Sequence, residues 1–463
     1  MAGVALCCTG LHVSREPLMS NPASDRPPLV PLSSAQWIML LLLAMVQFTN
    51  VLDFVIMMPL APQFHKTWNL TPQEFGYLVS VYAFAACASG IVSSWFIDRL
   101  DRKNALVVLY GIFGIANLLC AWSPSYAMMM MARIVAGLSG GILGGVIMAI
   151  IGDVIPYARR GFATGIVMSS FAVASIVGIP FGLHIALNYS WRWTFMVIAC
   201  ASLAMLPLAI WRLPAVRAHI NGKPGQAPWL TTWAIVSDVN HLRAFMLMAF
   251  LIMTTFIIVP YMPTYMVANV EIKQEDIMWI YLFGGLGTLL TMGPIGKLSD
   301  RYGKKIVFQY LAILAAIPLL AVSYLPKVPL YVALIVTTAM MVFTAGRSVP
   351  AMAMCTACTT NERRGGFMSM LGAIQQFAMG VATVVGGLIL GVQAGVEPLT
   401  AVKNAPGEIL PIEPISGFPI VGWIAAILSL ITAYLGSHLR AVDTPAAKTT
   451  LEQAEEVMVT EIA

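Results

Sequence analysis

Four titratable side chains sit inside long apolar runs of this chain: Asp53, Arg133, Arg347 and His184. A charge at mid-membrane costs about 2.5–3.5 kcal/mol on insertion scales, so such residues are usually paired, hydrated or functional. Asp53 lies seven residues before the end of its run, and Arg133 lies seven residues into a run of opposite direction. At about 1.5 Å per residue, both stand roughly 10 Å from the same face, at similar depth. Two readings follow. Asp53 carries a coupling proton whose retention depends on its distance from Arg133, or the two form a fixed ion pair. Thr49, Asn50, Ile56 and Met57 share the helix face of Asp53. Thr49 and Asn50 offer hydrogen bonds and Met57 adaptable apolar contact, so these three are substrate-binding candidates, with helix packing as the alternative. Arg347, about seven residues from the inner end of its run, is a substrate contact or a snorkelling cation. His184 is a proton relay or a hydrogen-bonded bundle residue. One Asp against two Arg predicts a cavity of net positive sign, suited to anionic, zwitterionic or neutral amphipathic molecules rather than lipophilic cations.

These side chains need helices to position them. Hydrophobic residues make up 59% of the 463 residues and charged residues 10%, against about 25% charged in soluble chains. The surrounding solvent is therefore largely lipid. Apolar runs long enough to span occur near 36–60, 74–97, 105–123, 126–151, 162–187, 192–211, 242–268, 276–298, 306–325, 329–354, 366–392 and 418–438. Of the 26 Lys and Arg, nineteen fall in segments that share a side with both termini, and five fall on the other side. The positive-inside rule places that richer side, with both termini, in the cytoplasm. The expectation is an all-α membrane protein of the inner membrane. Its parts are a tail over 1–35, a six-helix bundle over 36–212, a linker over 213–240, a second bundle over 241–439 and a tail over 440–463. Trp229, Trp233 and Ile235 could form a short interfacial helix or a plain connector. The first 35 residues lack an apolar core long enough for a cleaved signal peptide, and Met19 is an alternative start. The net charge of +5 reads as basic loops at a membrane face, with no nucleic-acid footprint. Cys355 and Cys358 are two small residues near a helix end, without the second ligand pair that a metal site needs.

An internal repeat divides the chain. Asp98-Arg99-Leu100-Asp101-Arg102-Lys103 recurs 202 residues later as Asp300-Arg301-Tyr302-Gly303-Lys304-Lys305, each after the second span of its half. Arg159-Arg160-Gly161-Phe162 and Arg363-Arg364-Gly365-Gly366-Phe367 echo each other after the fourth spans. These loops resemble those of the major facilitator superfamily, whose motif reads G-x-x-x-D-R-x-G-R-K; the first copy has Ser94 and Asp101 at the glycine positions. Asp tolerates left-handed backbone, so the turn is expected to survive. Arg133-x-x-Ala136-Gly137-x-x-x-Gly141 and Gly178-Ile179-Pro180-Phe181-Gly182 resemble the drug:proton antiporter branch, and Trp191-Arg192-Trp193-x-Phe195 is similar to sugar- and metabolite-efflux permeases. The resemblance implies twelve helices in two pseudo-symmetric six-helix bundles, with the first and fourth spans lining a central cavity, which makes Asp53 and Arg133 prospective neighbours. It also implies that Asp98 sits near the helix start at Gly365 and Gly366, and Asp300 near Gly161.

A conformational latch follows from these loops: Arg99 and Arg102 pair with Asp153, and Arg301 or Lys304 with Glu362. The alternative is that the charges only orient the chain. Gly178, Pro180 and Gly182 predict a bend and a seam between the halves, or a packing kink. The loop over 393–417 is a connector or a shade for the outer mouth. The leading expectation is a proton-coupled exporter of small amphipathic molecules, monomeric, driven by the proton gradient without a cofactor. Symport uptake of an organic anion or siderophore and a transporter-like nutrient sensor are the alternatives. No nucleophile elbow, phosphate loop or His-rich metal set points to an enzyme.

Overall fold

The computed structural model describes residues 32–93, 100–213, 235–360, 364–392, 400–405 and 408–440. Among them, twelve helices are long and apolar enough to cross a membrane. They are α1 (Ser34–Ile56), α2 (Pro72–Ser93), α3 (Arg102–Trp122), α4 (Tyr126–Val154), α5 (Arg159–Asn188), α6 (Trp191–Arg212), α7 (Val239–Phe256), α8 (Gln274–Tyr302), α9 (Lys304–Ser323), α10 (Leu330–Ala357), α11 (Arg364–Ile389) and α12 (Phe418–Ser437). Because the number is even, Ser34 and Ser437 lie on one side, here the terminal face; the other side is the far face.

Local chemistry sets the helix ends. Ser33 caps α1 with its hydroxyl 3.2 Å from the Gln36 N–H, and Gln36 returns a bond to the Ser33 N–H at 3.0 Å. Thr71 and Glu74 make the same reciprocal box at the start of α2. The two copies of the repeated loop solve their turns differently. Gly303 adopts φ +92°, a conformation that glycine alone takes without strain. Asp101 instead has φ −61° and caps α3 by accepting from the Lys103 N–H at 3.0 Å. The expected left-handed Asp101 is thus replaced by an N-cap, which uses the carboxylate that glycine lacks.

Close helix packing comes from glycine. A Cβ on Gly137 would collide with the backbone of Tyr82, and one on Gly141 with Ala86, so α4 lies directly on α2. The second half repeats this contact six helices later, where Gly284 and Gly287 of α8 take Met341, Thr338 and Val342 of α10. Likewise Gly114 of α3 receives Leu203 of α6, and Gly422 of α12 receives Ser323 of α9. The duplicated loops therefore belong to duplicated bundles.

The bundles meet along α2–α11 and α5–α8. Gly387 abuts Pro72 and Gln73, Gly380 abuts Phe84, and Gly285 abuts Ser175 and Ile176. All of these lie in the far half or near the middle of the helices. Toward the terminal face, Gly90, Gly161, Gly165, Gly293, Gly365 and Gly372 have no neighbouring atom within 4 Å of an added Cβ. The Arg159–Met168 part of α5 packs on α1 and α4 of its own half. The halves are closed at the far face and diverge toward the terminal face.

Three features differ from expectation. Ile235 is buried beside Phe245 and Met248 of α7, rather than lying at an interface; Trp229 and Trp233 fall outside the described residues. The last loop is more than a connector: Thr400–Ala405 pairs antiparallel with Glu408–Ile412, and this hairpin rests on the short helix Ala61–Thr67 and on the far end of α5. Asn269 fastens the adjoining strand, donating to the Ile415 carbonyl and accepting from its N–H, both at 2.9 Å. The two glycines of the Gly178–Gly182 motif face α1, although the helix around them also contacts α8 of the other half. Gly178 packs on Leu52 and Phe48, and Gly182 on Ile56 and Thr194. The closest approach to Gly285 of α8 is made by Ser175 and Ile176, in a π-helical turn over Ala174–Gly178 just ahead of Pro180.

A matched pair of substitutions tests the glycine contacts. Gly137→Ala should lower the thermal-unfolding midpoint of the detergent-solubilised protein, at an overpacking cost of about 1–3 kcal/mol. Gly152→Ala, where nothing lies within 4 Å, should leave it unchanged or slightly raised. Equal effects at both sites would refute the packing account.

Candidate functional site

The α2–α4 contact places α1 against both helices and brings Asp53 to Arg133. The Arg133 Nη1 donates to Asp53 Oδ1 at 2.7 Å, and both side chains are fully buried. The Asp53 Oδ2 has no hydrogen-bond partner among the described residues, and neither do Arg133 Nε and Nη2. The guanidinium gains a second stabilising contact from the Tyr82 ring, whose centroid is 4.5 Å from its central carbon. The Tyr82 hydroxyl donates to Asn50 Oδ1 at 3.0 Å, and Asn50 Nδ2 donates to the Gly140 carbonyl at 3.3 Å. Gly140 is required here, because a Cβ would occupy the space of that hydroxyl and amide.

Asn50 and Tyr82 also line a cavity of about 320 Å³ between the two halves. Gln47, Val51, Phe54 and Phe171 complete the wall of the first half, while Ile252, Phe256, Gln375, Gln376 and Met379 form that of the second. None of these lining side chains is charged. The predicted net positive cavity is therefore corrected: Arg133 is spent on Asp53 behind the wall, and Arg347 lies elsewhere. The polar features of the cavity are amides. Gln47 Oε1 and Gln376 Oε1, on opposite walls, are buried with no hydrogen-bond partner among the described residues. Gln47, Asn50, Gln375 and Gln376 give the lining its hydrogen-bonding groups.

The other predicted residues distribute as follows. Asn50 is in the cavity wall. Thr49 turns away to α3, its hydroxyl 3.0 Å from that of Tyr110. Met57 is fully buried in the core outside the cavity lining. Arg347 is buried at the break in α10 between Leu330–Gly346 and Ser348–Ala357. It donates to Ser429 Oγ at 2.6 Å and to the Leu251 carbonyl at 3.5 Å, so it ties α10 to α12 and α7 rather than snorkelling or lining the cavity. His184 is exposed on the outer surface of α5, against Asn188, and belongs to neither bundle core nor cavity. Cys355 and Cys358 are free thiols buried near α7.

Of the predicted latch, Arg102 and Asp153 are joined at 2.6 Å, both within the first half. Asp98, Arg99 and Glu362 lie outside the described residues. Asp300, Arg301 and Lys304 are exposed, with Arg301 over the Tyr302 ring, and nothing lies within 4 Å of a Cβ on Gly161. The expected approach of Asp300 to Gly161 is absent because the halves diverge at this face. Tyr82, Gln47, Gln375, Gln376 and Phe256 were missed as site residues. The signal was present in part: amides within apolar spans cost free energy just as charges do.

Two pseudo-symmetric six-helix bundles, a cavity between them and a gap at one face define a secondary transporter. The model of the Major Facilitator Superfamily matches residues 43–271 and 244–460, and the chain belongs to that family. It is a transporter and not an enzyme. The chain is 25% identical over 258 residues to AraJ of Escherichia coli (strain K12), a transporter candidate, with 54% of this chain and 62% of AraJ covered. It thus spans under two thirds of that relative's length. A citrate-proton symporter of Salmonella typhi is 24% identical over 407 residues, covering 82% of this chain and 92% of the symporter. Among solved structures, a D-xylose-proton symporter superimposes with a TM-score of 0.70 at 14% identity, covering 88% of this chain and 98% of that one. The inward-open xylose transporter XylE of E. coli gives 0.66, also at 14% identity, over 88% and 97%.

The ion pair has a thermodynamic signature. Arg133→Met strands Asp53 in the core and should destabilise the folded protein by about 3–5 kcal/mol, read from thermal unfolding in detergent. The double variant Asp53→Leu with Arg133→Met should recover most of that loss. Equal loss in the single and double variants would show that the pair is not the source.

Proposed function

We propose that the chain is a proton-coupled exporter of small neutral amphipathic molecules, with Asp53 as the proton site. The observation that carries this reading is the fully buried Asp53–Arg133 pair, 2.7 Å apart, linked to the cavity wall through Tyr82 and Asn50. A carboxylate with one unpartnered oxygen, held by a single arginine bond, can take up a proton when that bond loosens. A fixed structural pair would need no connection to the cavity.

The substrate class follows from the lining. Uncharged walls give neither an organic anion nor a cation its counter-charge, and burying an unpaired charge is strongly unfavourable. Aromatic and Met side chains suit an apolar body, while the amides of Gln47, Asn50, Gln375 and Gln376 suit hydroxyl or N–H groups on it. Citrate, the substrate of one relative, fits this cavity poorly; a hydroxylated neutral molecule, of which xylose is an example among the structural neighbours, fits it better. The distribution of Lys and Arg supports a cytoplasmic terminal face and hence a cytoplasmic opening of the cavity in this state, in an inner membrane. Alternating access then requires the halves to close there and part at the far face.

The test uses proteoliposomes with an imposed pH gradient and three labelled probes: chloramphenicol as a neutral donor-bearing amphiphile, tetraphenylphosphonium as a cation and citrate as an anion. Gradient-driven flux should favour the neutral probe. Asp53→Asn should abolish its acceleration by the gradient while leaving exchange at equal pH. Undiminished gradient-driven flux in Asp53→Asn would contradict the proton assignment, and a preference for citrate or tetraphenylphosphonium the substrate class.

A further inference from the structure

The contacts around Tyr82 join two sites that the function treats separately. Its ring supports the Arg133 guanidinium on one side, and its hydroxyl ends in the cavity wall on Asn50. Its position is tightly defined. The α2 backbone at Tyr82 lies on Gly137, the hydroxyl sits over Gly140, and the ring touches Phe54 at 5.4 Å between centroids. Phe54 in turn meets Phe256 of the second half at 5.8 Å. The ring is thus exposed to both events of a transport cycle. A molecule that takes the Asn50 carboxamide removes the acceptor of the Tyr82 hydroxyl, and relative motion of the halves moves Phe256 against Phe54.

We propose that Tyr82 is the positioning residue that couples occupancy and closure of the cavity to the Asp53–Arg133 pair. This rests on the reading of Asp53 as the proton site. The mechanism needs no covalent step. While the hydroxyl is held by Asn50, the ring stays against Arg133 and the guanidinium keeps its place on Asp53. When the hydroxyl is released, the ring is free to move, Arg133 loses a contact that is strong because it is desolvated, and its grip on Asp53 changes. Among the described residues, the ionisable groups facing Asp53 are Arg133 from α4, Tyr82 from α2 and the Cys120 thiol of α3. Arg133 already bonds the carboxylate directly, and Cys120 does not line the cavity. Tyr82 alone of the three spans the distance from the pair to the cavity.

A double-mutant cycle read on Asp53 itself tests this without a known substrate. The protonation midpoint of Asp53 is measured from its carboxyl C=O stretch by infrared spectroscopy of the reconstituted protein, assigned by its loss in Asp53→Asn. Asn50→Ala and Tyr82→Phe should each move that midpoint by about half a pH unit or more. The double variant should move it no further than the larger single shift, because both substitutions cut the same link. Thermal unfolding of each variant confirms that it is folded. Midpoints in both single variants indistinguishable from that of the unsubstituted protein, or shifts that simply add in the double variant, would overturn the relay while leaving Asp53 as the proton site. A carboxyl band that never titrates would overturn the proton assignment itself.

Discussion

A carboxylate and a guanidinium cannot stand alone in hydrocarbon, and the first half of this protein is built around satisfying that constraint. Asp53 and Arg133 neutralise each other at 2.7 Å with no exposure. The contact depends on α2 and α4 packing almost backbone to backbone at Gly137 and Gly141, while Gly140 leaves room for the Tyr82 hydroxyl and the Asn50 amide. A bulkier α4 would hold α2 away, withdraw the Tyr82 ring from Arg133 and open the pair to rearrangement. The incomplete satisfaction is equally informative. One Asp53 oxygen and two Arg133 nitrogens make no hydrogen bond among the described residues, so a single arginine bond holds the carboxylate.

The second half handles its buried charge differently. Arg347 has no acidic partner among the described residues and instead meets Ser429 and the Leu251 carbonyl where α10 breaks. Its neutral partners tie three helices together. The two halves thus share an architecture, seen in the repeated α2–α4 and α8–α10 glycine contacts, but not an electrostatic design. Between them lies a cavity whose polarity comes from amides, and the buried charges lie outside its lining.

The twelve spans, the duplication and the shared depth of Asp53 and Arg133 were legible in the residues, from apolar run length, repeated loops and helix rise, while their contact needed the family resemblance that brings the first and fourth spans together. Counting seven residues from each span end placed the two groups at one depth. The cavity was not legible, because net intramembrane charge says nothing about which way side chains point. Thr49 and Asn50 are adjacent, yet one faces Tyr110 and the other the cavity. The Gly178–Gly182 motif likewise promised close packing, but only the fold shows that the packing is against α1. His184 shows the opposite error: a titratable group within a span drew attention although its helix face points outward.

The account stands on Asp53 moving a proton in step with the transported molecule. Vesicles containing the pH dye pyranine, with no initial pH gradient, permit this to be observed directly when a chloramphenicol gradient is imposed. Movement of chloramphenicol should then drive a proton flux and a change of internal pH, and Asp53→Asn should move chloramphenicol without that change. A pH change of the same size per molecule transported in Asp53→Asn would contradict the account.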